Sequence, residues 1–186
     1  YQKLPSFLAD SLPDDWGNAL FEQWRIDQGL SVSQVTPLEK LMFIGSRGMG
    51  ALEFVPDAQI NPRAEKIDIA ALAQLAQKIF NDREKAVIEP NETITKKLLM
   101  MVGTSVGGRQ PKALIAIHKE TGEIRSGQIA GLEGYNYYIL KFGNAERSLA
   151  ELEMTYHEMA CMAGIHMMPS RLLEADGEKH FLTQRF

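Results

Sequence analysis

The chain lacks the usual marks of a disulfide-bonded, zinc-binding or membrane protein. It has one cysteine in 186 residues, Cys161, which excludes an internal disulfide and the cysteine-based zinc patterns. Its histidines do not have metal-ligand spacing either, so we expect no structural metal; they are His118, His157, His166 and His180. No apolar run approaches the length of a membrane span, and no signal-peptide pattern precedes Leu4. We therefore expect a cytoplasmic protein.

An excess of positive charge is also missing. The formal net charge is −4, whereas nucleic-acid binding depends on lysine and arginine side chains that neutralise phosphates. Any association with DNA is therefore expected to go through a partner. Hydrophobic residues make up 45% of the sequence, which is ordinary globular usage and allows one domain or two small ones.

A Gly-rich segment with hydroxyl side chains occupies residues 103–113 (GTSVGGRQPKA), directly before the apolar run 114–117. Glycine lets a backbone approach a phosphate closely, and successive N–H groups turned inward bind anions. The segment departs from the Walker form, which ends in Gly-Lys-Ser/Thr. We interpret it as a phosphate-cradling loop that leads into a strand; the alternative is an ordinary turn before a strand.

Lys141 is the one charge in an otherwise apolar stretch, residues 137–142, which predicts a buried strand. A charge in such a strand needs a partner or a ligand. Residues 148–151 (SLAE) have the form of a capping box, so a helix is predicted from there to about Gly164. Glu153, at the margin of its apolar face, is the carboxylate best placed to meet Lys141. The alternative is that both side chains are solvated.

Helical spacing also predicts which side chains are buried. Cys161, in the helix that follows residue 148, is interpreted as a core thiol rather than a nucleophile. The adjacent Met100 and Met101 are assigned to core filling in preference to a contact surface. The other predicted core positions of these helices are Trp16, Phe21, Trp24, Leu149, Leu152, Tyr156, Met159, Ala160 and Ala163.

Caps, turn residues and apolar periodicity predict the remaining elements. A polar stretch with two prolines, residues 56–63, is the best linker candidate and predicts a boundary near residue 60. The predicted helices cover 12–29, 36–45, 68–80 and 93–102, and the predicted strands are 50–55 and the hairpin partners 114–118 with 123–128 and 171–174 with 180–184.

The order of Gly-rich loop, strand lysine and helix glutamate is that of the N-lobe of a protein kinase, where the lysine holds phosphates and the glutamate positions it. The chain resembles HipA-type serine/threonine kinases, the toxins of bacterial HipBA toxin–antitoxin systems that promote persistence. The segments that carry this resemblance are 7–14, 44–52, 103–113, 138–142, 153–169 and 184–186.

The resemblance implies an α+β fold. Residues 1–60 would end a small N-terminal α/β subdomain, and residues 61–186 would form connecting helices and a kinase-like N-lobe, an antiparallel sheet plus helix, up to the hinge. The helical C-lobe, with its catalytic aspartate and metal-binding residues, has no counterpart in these 186 residues. The expectation is a kinase when complete and an inactive fragment when alone.

The resemblance also implies the site. Lys141 would neutralise ATP phosphates, Glu153 would orient Lys141, and Lys112 would add positive charge near the γ-phosphate, with the alternative that it is a solvated lysine. Ser105 matches the family's autophosphorylated serine, whose phosphorylation would repel ATP. The backbone contacts to ATP would come from Val106, Gly107, Gly108, Arg109 and Gln110 at the phosphates and from Gln184 and Phe186 at the adenine. Mg²⁺ would accompany ATP, with its protein ligands in the absent C-lobe.

The implied partners are a HipB-like helix-turn-helix antitoxin, which would contact DNA on behalf of the kinase, and a protein serine substrate such as that of an aminoacyl-tRNA synthetase. A different class of function stays open. In that alternative the chain is a non-catalytic regulatory module that binds a kinase or an antitoxin.

Overall fold

The computed structural model describes residues 4–48, 50–58, 60, 66–81, 92–103, 108–144 and 147–185. These residues form an α+β fold with one five-stranded sheet. The helices are α1 (Ser6–Ala9), α2 (Asp15–Asp27), α3 (Pro37–Ile44), α4 (Ile69–Asn81), α5 (Thr93–Val102) and α6 (Leu149–Met162), and a 3-10 turn covers Gly45–Arg47. The strands are β1 (Lys112–His118), β2 (Ile124–Ser126), β3 (Tyr135–Lys141), β4 (Ser170–Ala175) and β5 (Glu178–Gln184).

The sheet has the strand order β2-β1-β3-β5-β4, and every neighbouring pair is antiparallel. Both predicted hairpins are confirmed. The turn between β4 and β5 consists of Asp176 and Gly177, which both have positive φ (51° and 76°). Two such residues are what a tight hairpin turn requires, because this backbone twist matches that of the flanking strands.

The hydrophobic core lies between one face of the sheet and helices α2, α4 and α5. Side chains alternate between faces along a strand, so Ala113, Ile115 and Leu140 enter this core while Lys112 and Lys141 belong to the opposite face. The core assignments of Trp16, Phe21, Met100 and Met101 are confirmed, and Trp24 packs against the core partly buried.

Helix α6 begins where predicted, but not by the predicted cap. Ser148 has a left-handed backbone (φ 46°) and its side chain makes no capping hydrogen bond, whereas a capping serine has an extended backbone. The predicted core face is also wrong: Leu152, Tyr156 and Met159 are 49%, 63% and 56% exposed, and Cys161 is exposed. The helix packs on β4 and β5 and buries only Ala150 fully among its described side chains. Helical spacing defines an apolar face but not whether anything covers it.

The predicted strand over residues 50–55 is also wrong. These residues return to the end of α3, where the N–H of Phe54 donates to the Gly45 carbonyl and the N–H of Ala58 donates to that of Met42. The Phe54 N–H is therefore bonded to a helix end instead of a partner strand. Residues 61–65 lie outside the described residues, and the boundary near residue 60 stays a prediction.

Candidate functional site

Lys141 and Glu153 form an ion pair on the face of the sheet opposite the main core. Lys141 ends β3 and Glu153 lies in the second turn of α6, with 2.5 Å between Nζ and Oε2. Both side chains are partly accessible, at 29% and 28%, and the Lys141 ammonium lies 5.6 Å from the centre of the Phe181 ring. The strand lysine thus has the carboxylate partner expected from the sequence, and the pair stays within reach of solvent.

Lys112, the first residue of β1, is directly opposite Lys141 in the antiparallel register. Only 4% of Lys112 is exposed, so it is not the solvated lysine of the alternative interpretation. Its pKa is lowered to about 8, first because burial disfavours the ammonium and then because Lys141 repels it, while Asp14 and Glu153 act in the other direction. Two lysines therefore lie side by side on this face of the sheet, with Asp14 and Glu153 as the carboxylates that act on them.

The described end of the Gly-rich segment lies against Lys112. Gly108 has φ of +104°, and a Cβ placed on it would stand 2.8 Å from the Lys112 Nζ, so the glycine leaves room for the ammonium. Its N–H donates to Oδ2 of Asp14 over 2.6 Å. Gln110 fixes the approach to the sheet, since its side-chain amide donates to the Phe142 carbonyl over 3.0 Å. Arg109, between them, is exposed.

Of the other residues predicted to lie at the ATP site, only Gln184 is among the described residues. Ser105, Val106, Gly107 and Phe186 lie outside the described residues. Gln184 is opposite Tyr138 on β3, three residues before Lys141, which corresponds to roughly 10 Å along a strand. Its N–H donates to the Pro169 carbonyl, so any backbone contact of Gln184 with a ligand would use its carbonyl oxygen.

No sequence pattern indicated that Asp14 and Trp16 belong to this region. The Trp16 indole Nε1 donates to the Lys112 carbonyl over 2.9 Å in a buried hydrogen bond, and its backbone N–H donates to the Gly108 carbonyl over 3.4 Å. Sequence patterns place both residues only in the helix predicted over 12–29, with Trp16 as a core position. Contacts between segments 94 and 96 residues apart leave no local pattern in a single sequence.

Residues 103–107 (GTSVG) also spell the Gly-x-Ser-x-Gly pattern of a hydrolase nucleophile elbow. That elbow lies between a strand that precedes it and a helix that follows it. Here the order is reversed, because helix α5 precedes the segment and strand β1 follows it. The pattern therefore does not support serine hydrolase chemistry.

Among the described residues, no group of three or more His, Cys, Asp or Glu side chains could hold a metal ion. None of the helices described is long and apolar enough to cross a membrane.

Two family models match the chain, in sequence order. The HipA N-terminal domain matches residues 1–55, and the HipA-like C-terminal domain matches residues 104–186. No curated protein and no solved structure gives a significant match. Because a HipA N-terminal and a HipA-like C-terminal model both match the chain, it is a HipA-like protein, and the resemblance inferred from its motifs is confirmed. Asp14 and Trp16 fall in the first match, and Gly108, Lys112 and Lys141 fall in the second.

Proposed function

We propose that this chain is the N-terminal portion of a HipA-like toxin kinase that binds ATP and, when complete, phosphorylates a protein serine. The observation that carries the proposal is the Lys141–Glu153 ion pair beside Lys112, at the point where the Gly-rich segment enters the sheet. Two adjacent lysines suit a polyphosphate, because it carries several negative charges along its length.

The residues present fit a nucleoside triphosphate. An ammonium has three donors, so Lys141 can bond Glu153 and still donate to a phosphate oxygen. Lys112 adds a second cation, and Gly108 allows close backbone approach. ATP would supply the phosphoryl group, and Mg²⁺ would be held chiefly by its phosphates and by water. The chain's own residues would bind and orient the phosphates, and Glu153 would keep Lys141 aimed at them.

The wider architecture is consistent with the same proposal. Helix α6 packs against β4 and β5 of an antiparallel sheet and pairs its glutamate with the sheet lysine. This supports the proposal, because a kinase N-lobe also pairs a strand lysine with a helix glutamate. On the resemblance, the catalytic aspartate would belong to a C-lobe without a counterpart in these 186 residues, so we expect these residues alone to bind nucleotide without transferring phosphate. On the family's pattern, a helix-turn-helix antitoxin of the HipB type would be the partner, an aminoacyl-tRNA synthetase a candidate substrate, and Ser105 the autophosphorylation site.

Titration calorimetry of the 186-residue protein with Mg-ATP tests the proposal. Lys141→Met should weaken binding at least about tenfold, since a hydrogen bond to a charged group contributes about 1.5–3 kcal/mol. Lys179→Met is the matched control. Lys179 is also a lysine of the sheet and pairs with Glu151 of α6 at 3.6 Å, but it is not one of the two adjacent lysines, Lys112 and Lys141. Equal effects of the two substitutions, or no binding by the unmodified protein, would contradict the proposal.

One observation favours the second candidate, a non-catalytic module that binds a kinase or antitoxin. Helix α6 exposes Leu152, Tyr156, Met159 and Met162, the last at 87%, and apolar patches of this kind mark interaction surfaces. This candidate predicts partner binding without nucleotide binding. The calorimetric experiment therefore separates the two.

A further inference from the structure

The N–H group of Gly108 already has an anionic partner within the chain. Asp14 accepts its hydrogen bond at 2.6 Å, short enough for a charge-assisted bond. The Trp16 N–H donates to the Gly108 carbonyl, so both backbone polar groups of Gly108 are held by the segment that begins α2. A backbone N–H donor bonded to a carboxylate is not available to a phosphate at the same time.

The position of Asp14 predicts that its carboxylate caps helix α2. It stands at the N-cap position of α2 with an extended backbone (ψ −170°), yet its side chain makes no capping hydrogen bond. An N-cap aspartate ordinarily accepts from its own helix, and losing that bond has a cost in helix stability. The carboxylate of Asp14 instead reaches a residue 94 positions away.

The same carboxylate acts on Lys112. Asp14 and Glu153 are the two negative groups that favour the charged form of Lys112, against burial and Lys141. Gly108, Lys112 and Lys141 make up the candidate phosphate site. Asp14 is therefore close to one cation of this site, Lys112, and to one N–H donor, that of Gly108. A second negative charge brought to these groups would be repelled by the first.

We propose that Asp14 is an internal anion that occupies the Gly108 end of the phosphate site, and that the phosphates of a nucleotide bind by displacing it. This inference rests on the proposed function, and it adds a residue of the N-terminal domain that limits nucleotide affinity. The bond between Asp14 and Gly108 thus links occupancy of the site to the position of the segment that begins α2.

The test compares Asp14→Asn with Asp15→Asn by calorimetry at low salt. Asp15 is the adjacent carboxylate, also exposed, and makes no described bond to Gly108. Asp14→Asn should raise the affinity for Mg-ATP roughly three- to tenfold, because it removes a repulsive charge while keeping a side chain of the same size. Asp15→Asn should leave the affinity unchanged.

Adenosine separates displacement from a general structural effect. It carries no phosphate, so Asp14→Asn should not change its affinity, and the melting temperature of each ligand-free variant reports on folding. Unchanged or weaker ATP binding in Asp14→Asn, with the unmodified protein binding ATP, would overturn this inference alone and make Asp14 a support of the loop. If neither protein binds ATP, the proposed function fails and this inference fails with it.

Discussion

The Nδ1 atom of His180 accepts a hydrogen bond from the backbone N–H of Gly143 over 3.0 Å. His180 lies on the same face of the sheet as Leu182, which belongs to the main core. The ring is fully buried. Because Nδ1 is the acceptor, the neutral imidazole carries its proton on Nε2. A second proton would have to displace the Gly143 N–H and leave a charge in the core, and burial accordingly lowers the pKa of His180.

Stability should therefore fall as the solution is acidified. In the unfolded chain His180 takes up a proton near its ordinary pKa of about 6.5, whereas the folded protein takes it up only at lower pH. Between these values the unfolded state binds more protons, so the free energy of unfolding decreases as pH falls through about 6.5 and levels off below the folded pKa.

Denaturant unfolding of the wild type and of His180→Asn between pH 7.5 and 5 measures this effect. Asparagine keeps an acceptor near the Nδ1 position but does not titrate. The stability difference between the two proteins should shrink on acidification, while contributions from carboxylates cancel. A difference independent of pH would show that His180 protonates as readily in the folded protein as in the unfolded one.

Gly143 itself admits no side chain. A Cβ at this position would lie 1.7 Å from the Lys179 carbonyl oxygen, and that oxygen belongs to the backbone of β5 and cannot turn away. Gly143→Ala should destabilise the protein by about 3 kcal/mol or more, at the upper end for overpacking, or prevent folding. Gly50→Ala is the control, since nothing lies within 4 Å of its Cβ position. Equal unfolding midpoints for the two variants would contradict the structure around Gly143.

Local signals account for the parts of the fold that could be predicted. The helix predicted from Thr36 is confirmed. It begins with a capping box, in which the Glu39 N–H donates to the Thr36 hydroxyl and the Glu39 carboxylate accepts from the Thr36 N–H, and Pro37 stands in the first turn. The Asp176-Gly177 pair marked its hairpin equally well. These features depend on residues within a few positions of one another, which is the range that sequence patterns report.

Tertiary relationships account for what could not be predicted. The sequence indicated a Lys141–Glu153 pair because strand and helix are adjacent along the chain. It did not indicate the burial of Lys112, the bond between Asp14 and Gly108, or the exposure of Tyr156, since each depends on which distant segment packs nearby. Ser148 matched the sequence pattern of a capping box but makes no capping hydrogen bond, because its backbone is left-handed.

Lys112 should make nucleotide binding depend on pH. With a pKa lowered to about 8, Lys112 is mostly charged at pH 7 and mostly neutral at pH 9. A bound polyphosphate favours the ammonium and raises its pKa, so binding is coupled to proton uptake. The affinity for ATP should therefore fall as pH rises from 7 to 9, by roughly fivefold if the pKa rises by one unit on binding.

Lys112→Met tests whether Lys112 is the group responsible, because methionine replaces the buried stem without the charge. This variant should bind ATP more weakly at pH 7 and show a flatter pH profile, so that it approaches the wild type at pH 9. Lys119→Met, an exposed lysine in the turn after β1, should keep the wild-type profile. Calorimetry in two buffers of different ionisation enthalpy adds a direct readout, because proton uptake on binding at pH 8 should be seen in the wild type and lost in Lys112→Met. If the proton uptake persists in that variant, another group is responsible and Lys112 only fills space beside Lys141.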